Sequence, residues 1–188
     1  MGRSRIVACV FIPLFFSGCS LRTDALMKSV AEVLMMLSHG RTTVSESLTR
    51  TEGDVSIYEG TNDSDTVSVT VRRTHAPDTP NTDEAVLVYT DFSYVDEPAR
   101  QERLSGTLEG TVTVEGIINS NTYRGVFEVA GFSFSTVDFY YTFEISSVTN
   151  EITESFGTMK TDKGDLDILE AEAMYPNSDK ASWLAGFF

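Results

Sequence analysis

Alternation of apolar and polar residues with a period of two runs through most of the chain after residue 55. In the clearest short example, Val67, Val69 and Val71 alternate with polar residues. Because successive side chains of a strand point to opposite faces, this period predicts β-strands that bury one face. Predicted strands cover 55–59, 66–73, 85–94, 104–118, 123–134, 137–145 and 152–160.

Short connections rich in turn residues separate these strands, with no helical segment between them. Strands joined in this way pair antiparallel, because parallel strands need longer crossover connections that are usually helical. The Thr161-Asp-Lys-Gly164 segment is a strong hairpin turn, since Gly164 can adopt a positive φ. The pattern therefore predicts one mainly β domain over 24–188, either an antiparallel β-sandwich or a barrel-like curled sheet.

Four segments fit the simple alternation less well. Residues 40–54 are polar and predict a connector or a weak strand, and 119–121 predict a turn. The run 85–89 is apolar on both faces, which favours a more central strand of the sheet. Residues 166–174 predict a last long strand, and the slip of their apolar phase after Ile168 indicates a bulge.

Before the strands, residues 24–38 have a helical period instead. Five apolar residues fall on one face of this amphipathic helix: Leu26, Val30, Val33, Leu34 and Leu37. Thr23 is suited to cap its first turn, and Gly40 is suited to follow its last turn. The polar face lacks the many Lys and Arg residues of helices that lie on membrane surfaces, so we expect packing against the sheet.

The first nineteen residues have the order basic, apolar, small. Two arginines precede an apolar run over 6–16, and Ser17 and Gly18 come directly before Cys19. This order is typical of a secretory signal peptide. The apolar run is too short for a transmembrane helix, which needs about 20 residues.

The tetrad Phe16-Ser17-Gly18-Cys19 resembles the lipobox of bacterial prolipoproteins, with Phe16 in place of the usual leucine. In that family a diacylglycerol group is attached to the cysteine, the chain is cut just before it, and the new amino group is acylated, for example with palmitate. The resemblance implies a signal peptide over 1–18, cleavage between Gly18 and Cys19, and a lipidated tether over 19–23. Several acyl chains hold a protein stably at a membrane, whereas one chain binds only marginally.

Ser20 follows the cysteine at the position where aspartate retains lipoproteins of enteric bacteria at the inner membrane. The resemblance therefore implies a lipid-anchored protein of the bacterial cell envelope, at the outer membrane rather than the inner one. The alternative is ordinary signal cleavage that leaves Cys19 as a thiol near the new terminus.

Charge excludes several classes of partner. The chain carries 28 acidic and 14 basic residues, a net charge of −14. Nucleic acids and anionic lipid surfaces attract basic proteins, so neither is an expected partner. Residues 1–18 contain two arginines and no acidic residue, so their loss would make the net charge more negative. Membrane attachment of the cleaved chain would then depend on the lipid.

No motif of catalysis or cofactor binding is present. The sequence lacks G-x-S-x-G, G-x-G-x-x-G and C-x-x-C, and it has only two histidines, His39 and His75. Its densest acidic groups do not have the spacing of an EF-hand. These groups are Asp63 with Asp65, and Asp162, Asp165 and Asp167 with Glu170. We therefore predict no catalytic residue, no metal ion and no cofactor.

Most aromatic residues lie in the predicted strands, where core packing and cross-strand pairing account for them. Tyr140 differs, because its neighbours at 138, 142 and 144 place it on the polar face of its strand. It is the candidate ligand-binding residue, for an apolar ligand or a glycan.

The leading hypothesis is a lipid-anchored binding or structural module whose partner is an apolar ligand, a glycan or an envelope protein. One alternative is a small outer-membrane β-barrel, suggested by the alternating strands and the terminal Phe188. A second alternative is an envelope hydrolase with paired carboxylates. An internal cavity would favour ligand binding, and a filled core would favour an interaction role.

Overall fold

The computed structural model of the protein describes residues 14–74, 81–93, 101–149 and 151–175, with side chains from residue 23 onward. Its elements in chain order are α1 (Leu14–Thr42), β1 (Ser45–Glu52), β2 (Val55–Thr61), β3 (Val67–Thr74), β4 (Asn81–Phe92), β5 (Arg103–Glu115), β6 (Ile118–Ala130), β7 (Thr136–Ser146), β8 (Ile152–Thr161), β9 (Gly164–Asp167) and α2 (Ile168–Met174).

The nine strands form one open sheet in which each strand pairs antiparallel with its neighbours in the chain. A mainly β fold with antiparallel pairing, predicted from the alternation, is therefore confirmed. The predicted hairpin is also present, since Thr161 pairs with Gly164 across a two-residue turn. The polar segment 40–54 contains a full strand, β1, which is almost entirely exposed.

One face of the sheet, here called the inner face, carries the apolar core. Buried residues of β3 to β8 form one cluster with residues of α1 and α2. The hydroxyl of Tyr89 on β4 donates a hydrogen bond of 2.7 Å to the carbonyl of Leu37 on α1. The backbone N–H of Ser133 donates to Ser29 Oγ on α1 at 3.1 Å. These contacts place α1 against the inner face, as its apolar residues predict.

Glycines on the inner face lie opposite large aromatic rings of the next strand. Gly125 pairs with Phe139, and Gly157 pairs with Tyr141. A Cβ atom built on Gly157 would lie 2.4 Å from Cδ2 of Tyr141, so the ring occupies the space that a side chain would need. An aromatic ring placed over a strand glycine recovers the packing that the glycine lacks.

The helix α1 has 29 residues, begins at Leu14 and ends at Thr42, so the predicted range 24–38 lies inside it. Thr23 is consequently an interior residue of the helix, and its predicted role as a cap is wrong. Gly40 is also inside the helix, where a Cβ atom would lie 2.4 Å from Cε1 of Tyr89. Close packing, rather than termination of the helix, requires glycine there. Among the described residues, no helix is both long enough and apolar enough to cross a membrane.

The predicted last strand over 166–174 is wrong after Asp167, where β9 ends and α2 begins. Asp167 caps α2, because its Oδ1 accepts the backbone N–H groups of Leu169 at 2.8 Å and Glu170 at 3.3 Å. Ile168 and Ala171 are the buried residues of this short helix. The slip of apolar phase therefore marks a change from strand to helix and not a bulge.

The predicted turn at 119–121 is also wrong. The turn between β5 and β6 lies at 116–117, and residues 119–121 belong to β6. The strand β4 lies in the interior of the sheet between β3 and β5, as the run at 85–89 predicts, and its Val86 and Val88 are about two-fifths exposed on the face opposite the core. This second face is called the outer face below.

Candidate functional site

The outer face of the four central strands, β4 to β7, brings together side chains that are far apart in the chain. Val86 lies opposite Glu109, Glu109 opposite Arg124, and Arg124 opposite Tyr140. Directly paired residues of an antiparallel sheet point to the same face with Cβ atoms about 5 Å apart. These four side chains therefore form a row across the middle of the sheet.

An ion pair lies at the centre of this row. Arg124 Nε donates to Glu109 Oε2 at 2.8 Å, with the two side chains 72% and 50% exposed. Water screens an exposed pair, so its contribution to stability is at most about 1 kcal/mol. The carboxylate of Glu109 instead orients the guanidinium of Arg124 and neutralises its positive charge.

Five apolar side chains surround this ion pair on the outer face. We call this set the outer patch: Val86, Val88, Val126, Tyr140 and Phe156. Val126 is 67% exposed and Phe156 is 55% exposed, which is unusual for large apolar residues of regular strands. Threonines occupy much of the remaining surface, among them Thr107, Thr111 and Thr122.

Two open depressions of about 410 and 390 Å³ lie on either side of the ion pair, and Glu109 and Arg124 line both of them. Val126 and Asp138 line the first, and Tyr140 lines the second. Both are surface grooves over exposed strands. The surface can thus accept protruding side chains of a partner beside the ion pair.

Tyr140 lies where the sequence places it, on the polar face of β7, and is 39% exposed. Its ring centroid is 6.2 Å from that of Phe156 on β8, with the ring planes inclined by 58°. The two rings therefore do not form one flat platform of the kind that stacks on a sugar ring. The role of Tyr140 in binding stays a prediction.

Aromatic rings fill the inner face. Eight are buried: Tyr89, Phe92, Tyr123, Phe127, Phe134, Phe139, Tyr141 and Phe143. Burial raises the pKa of the Tyr89, Tyr123 and Tyr141 hydroxyls far above the usual value, so all three stay neutral at physiological pH. Rings packed at this density favour a structural core over an internal ligand cavity.

Charged side chains close one end of this core, near the C-terminus of α1. The buried Arg41 lies 3.0 Å from Oε1 of Glu46, and Arg73 lies 3.8 Å from the same oxygen. The guanidinium of Arg73 also lies 4.8 Å above the ring of Tyr58. Because a buried charge is costly without a partner, the carboxylate of Glu46 offsets the cost of burying Arg41, which accounts for this network without a ligand.

Two of the acidic residues identified in the sequence, Asp162 and Asp167, have local structural roles. Asp162 Oδ1 accepts the backbone N–H of Ser135 at 2.8 Å, and its other oxygen lies 3.0 Å from Lys163 Nζ. The hydrogen bond from Ser135, followed by Lys163, lowers the pKa of Asp162 to about 2. In the described part of the chain, no three His, Cys, Asp or Glu residues are grouped so that they could hold a metal ion.

The other predicted residues are placed as follows. Gly18 and Cys19 lie in the first turns of α1, and their side chains are outside the described set. The ring of His39 packs 6.2 Å from that of Phe92. His75 and residues 1–13 and 176–188, which include most of the predicted signal peptide and the apolar C-terminus, lie outside the described residues.

Sequence reasoning missed the pairing of Glu109 with Arg124 and the exposure of Val126 and Phe156. Alternation within β6 and β8 could have assigned these apolar residues to the outer face, but prediction of the ion pair requires the register between two strands.

Compared with known protein families, curated proteins and solved structures, the chain shows no match. Function is therefore inferred from the residues themselves.

Proposed function

We propose that the chain is a lipid-anchored interaction module of the bacterial cell envelope. Acyl chains on Cys19 would hold it at the outer membrane, and the outer patch would bind another envelope protein. The lipobox-like tetrad at 16–19 supports the anchor. We further propose that the sheet curls around α1 like a barrel, because one core cluster joins α1 to strands from β3 through β8.

The observation that carries the interaction role is the outer patch on a strongly acidic protein. The chain has a net charge of −14, yet the patch holds exposed Val, Tyr and Phe side chains around one neutralised ion pair. The centres of protein interfaces are depleted in charge and enriched in aromatic residues. Large exposed apolar side chains that gather on one face among polar residues are typical of a binding site.

Carboxylates at the rim of the patch indicate the chemistry of the partner. Glu84 and Asp138 flank the grooves, and each lies opposite a basic residue of the next strand, Arg72 and Lys160, with no ion pair within 4.0 Å between them in the described part of the chain. A partner with an apolar surface bordered by Lys or Arg would complement them. A second copy of this chain would bring the same excess of acidic charge and would be repelled.

The anchor is tested by mass spectrometry of the N-terminal peptide of the purified protein. We expect an acylated peptide that begins at Cys19, and we expect the Cys19→Ala variant to lack the acyl mass. Cys9→Ala is the matched control, because Cys9 would leave with the signal peptide. An unmodified Cys19 in the native protein would contradict the anchor.

The outer patch is tested with a photoreactive amino acid placed at Val126 or at Val148, which is also highly exposed but lies in the turn after β7. We expect one specific crosslinked protein from position 126 only. Purified, that protein should bind Val126→Asp at least about tenfold more weakly than the wild type, because a charge would be buried at the interface.

Val148→Asp makes the same substitution outside the patch, and we expect its affinity to stay within twofold of the wild type. Equal affinity of the two variants for the captured protein would contradict the assignment of the outer patch as an interface.

A further inference from the structure

The helix α1 is one continuous helix that includes Cys19, the residue of the proposed lipid anchor. The rest of the fold contacts this helix within six residues of that cysteine. Ser133 Oγ, in the turn between β6 and β7, donates a hydrogen bond to the carbonyl of Ala25 at 3.3 Å. The hydroxyl of Tyr175, at the end of α2, donates to the side chain of Asp24. Two separate parts of the folded domain are therefore joined to the helical segment next to the anchor.

This short helical connection limits how far the folded domain can lie from a membrane. An α-helix rises about 1.5 Å per residue, so the six residues from Cys19 to Ala25 separate them by at most about 9 Å in height, at any tilt of the helix. The headgroup layer on each side of a bilayer is about 5–8 Å thick. With acyl chains on Cys19 in the hydrocarbon, Ala25 would lie close to the outer limit of the headgroups, and Ser133 would lie beside it.

The direction of α1 across the strands shows which side of the sheet is nearest to the anchor. Near the end of the helix, Gly40 lies against the ring of Tyr89 on β4. Ser29, eleven residues earlier, accepts a hydrogen bond from the backbone of Ser133 in the turn after β6. The helix therefore crosses the strands as it approaches Cys19, and it leaves the sheet on the side of β7, β8 and α2, away from β1.

Three segments on that side form one corner of the fold. We call them the anchor corner: the β6–β7 turn at 131–135, the β8–β9 turn at 162–163, and the end of α2 at 174–175. The two turns contact each other, because Asp162 accepts the backbone N–H of Ser135 at 2.8 Å. The other oxygen of Asp162 is paired with Lys163 at 3.0 Å, so this carboxylate is already satisfied within the protein.

The remaining side chains of the anchor corner suit a headgroup layer. Met174 is 43% exposed, and Phe132 and Tyr175 are partly buried. Tyrosine is enriched where the hydrocarbon of a membrane meets water, because its ring is apolar and its hydroxyl is polar. The corner therefore presents apolar and amphipathic groups on the side of the fold that the anchor would bring to the lipid.

The turn between β1 and β2, at 53–54, lies diagonally opposite. Strand register aligns Val55 with Glu144 of β7, which is eight residues and about 26 Å along the strand from Thr136. Four strands also lie between β2 and β7 in the sheet. β1 is almost entirely exposed and carries the ion pair of Arg50 with Glu52, as expected of an edge surrounded by water.

We propose that the short helical connection to Cys19 holds the anchor corner on the lipid headgroups, with the β1–β2 turn directed away from the membrane. The inference rests on the proposed function, because it requires acyl chains on Cys19. The matching surface is zwitterionic lipid, since a protein with a net charge of −14 is repelled by an anionic one.

Single fluorophores can test this orientation, because cleavage and lipidation would leave no free thiol in the mature chain. Cys9 and Cys19 are the only cysteines of the sequence. Ser135→Cys in the anchor corner and Asp54→Cys in the β1–β2 turn replace exposed residues and would each carry one nitrobenzoxadiazole label. The labelled lipidated proteins are placed in vesicles of phosphatidylethanolamine and phosphatidylcholine, with or without a nitroxide on the headgroups.

We expect the nitroxide to quench the label at 135 at least about threefold more than the label at 54, because the quencher is confined to a layer about 5–8 Å thick. Equal quenching, in proteins that float with the vesicles in a density gradient, would overturn the orientation and leave the anchor standing. Proteins that do not float with the vesicles would show that both the anchor and the orientation are wrong.

Ten Gly and Ser residues inserted between Arg22 and Thr23 test the role of the short connection. A flexible linker of this length adds about 17 Å of reach, so we expect the ratio of quenching at the two positions to fall to less than about 1.5. The same ten residues appended after Phe188 lengthen the chain elsewhere and should leave the ratio unchanged. An undiminished ratio in the first protein would overturn the proposal that the connection holds the corner at the membrane.

Discussion

Replacing Phe139 with alanine is expected to lower the free energy of unfolding by about 3–5 kcal/mol, and replacing its neighbour Tyr140 by about 1 kcal/mol. Phe139 is 1% exposed and packs on the inner face opposite Gly125. The ring of Phe139 is enclosed by the core, so its removal would leave a cavity. Tyr140 is on the outer face, where water replaces the lost contacts.

Urea denaturation followed by circular dichroism measures both changes. The two residues are adjacent in β7, so both substitutions change strand propensity in a similar way. The difference between the two losses of stability therefore compares burial on the inner face with exposure on the outer face. Similar losses of stability for the two variants would contradict the assignment of Tyr140 to an exposed interaction surface. Such a result would also show that Tyr140 of the outer patch contributes to the stability of the fold.

Local periodicity was sufficient for most of the strands, and for the face of each residue within them. In β7 the alternation of Phe139, Tyr141 and Phe143 with polar neighbours matches their burial, and the same reasoning placed Tyr140 on the outer face. These assignments need only the chain direction within one strand, because the period of two is fixed by backbone geometry.

Cross-strand partners could not be obtained in this way. The predicted turn at 119–121 would place Glu109 opposite residue 131, whereas the observed turn at 116–117 places it opposite Arg124. A shift of a few residues in one turn changes every pair between two strands. The central ion pair of the outer face was therefore invisible to sequence reasoning.

The end of β9 shows a different difficulty. Residues 166–174 contain an apolar slip that fits either a bulge or the start of a helix, and short apolar segments do not distinguish the two by period alone. The side chain of Asp167 decides the outcome, because it satisfies two backbone N–H groups that a helix leaves open.

Replacing Gly40 with alanine is expected to lower the free energy of unfolding by about 2–3 kcal/mol, although alanine normally stabilises a helix interior by about 1 kcal/mol relative to glycine. The new Cβ atom would lie 2.4 Å from Cε1 of Tyr89 and 3.3 Å from Cγ2 of Val67. The Tyr89 ring cannot move away easily, since its hydroxyl is bonded to Leu37. Ser38→Ala, in the same helix, should change stability by less than about 0.5 kcal/mol.

A double-mutant cycle with Tyr89→Leu separates packing from backbone strain at Gly40. If the clash with the ring is the cause, alanine at 40 should cost at least about 1 kcal/mol less in the Tyr89→Leu background than in the wild type. If Gly40 were instead needed for a left-handed conformation after the helix, the cost would be the same in both backgrounds, because strain of that kind does not depend on the ring. Thermal and urea unfolding of the four proteins therefore decides whether α1 is held against the sheet by this contact.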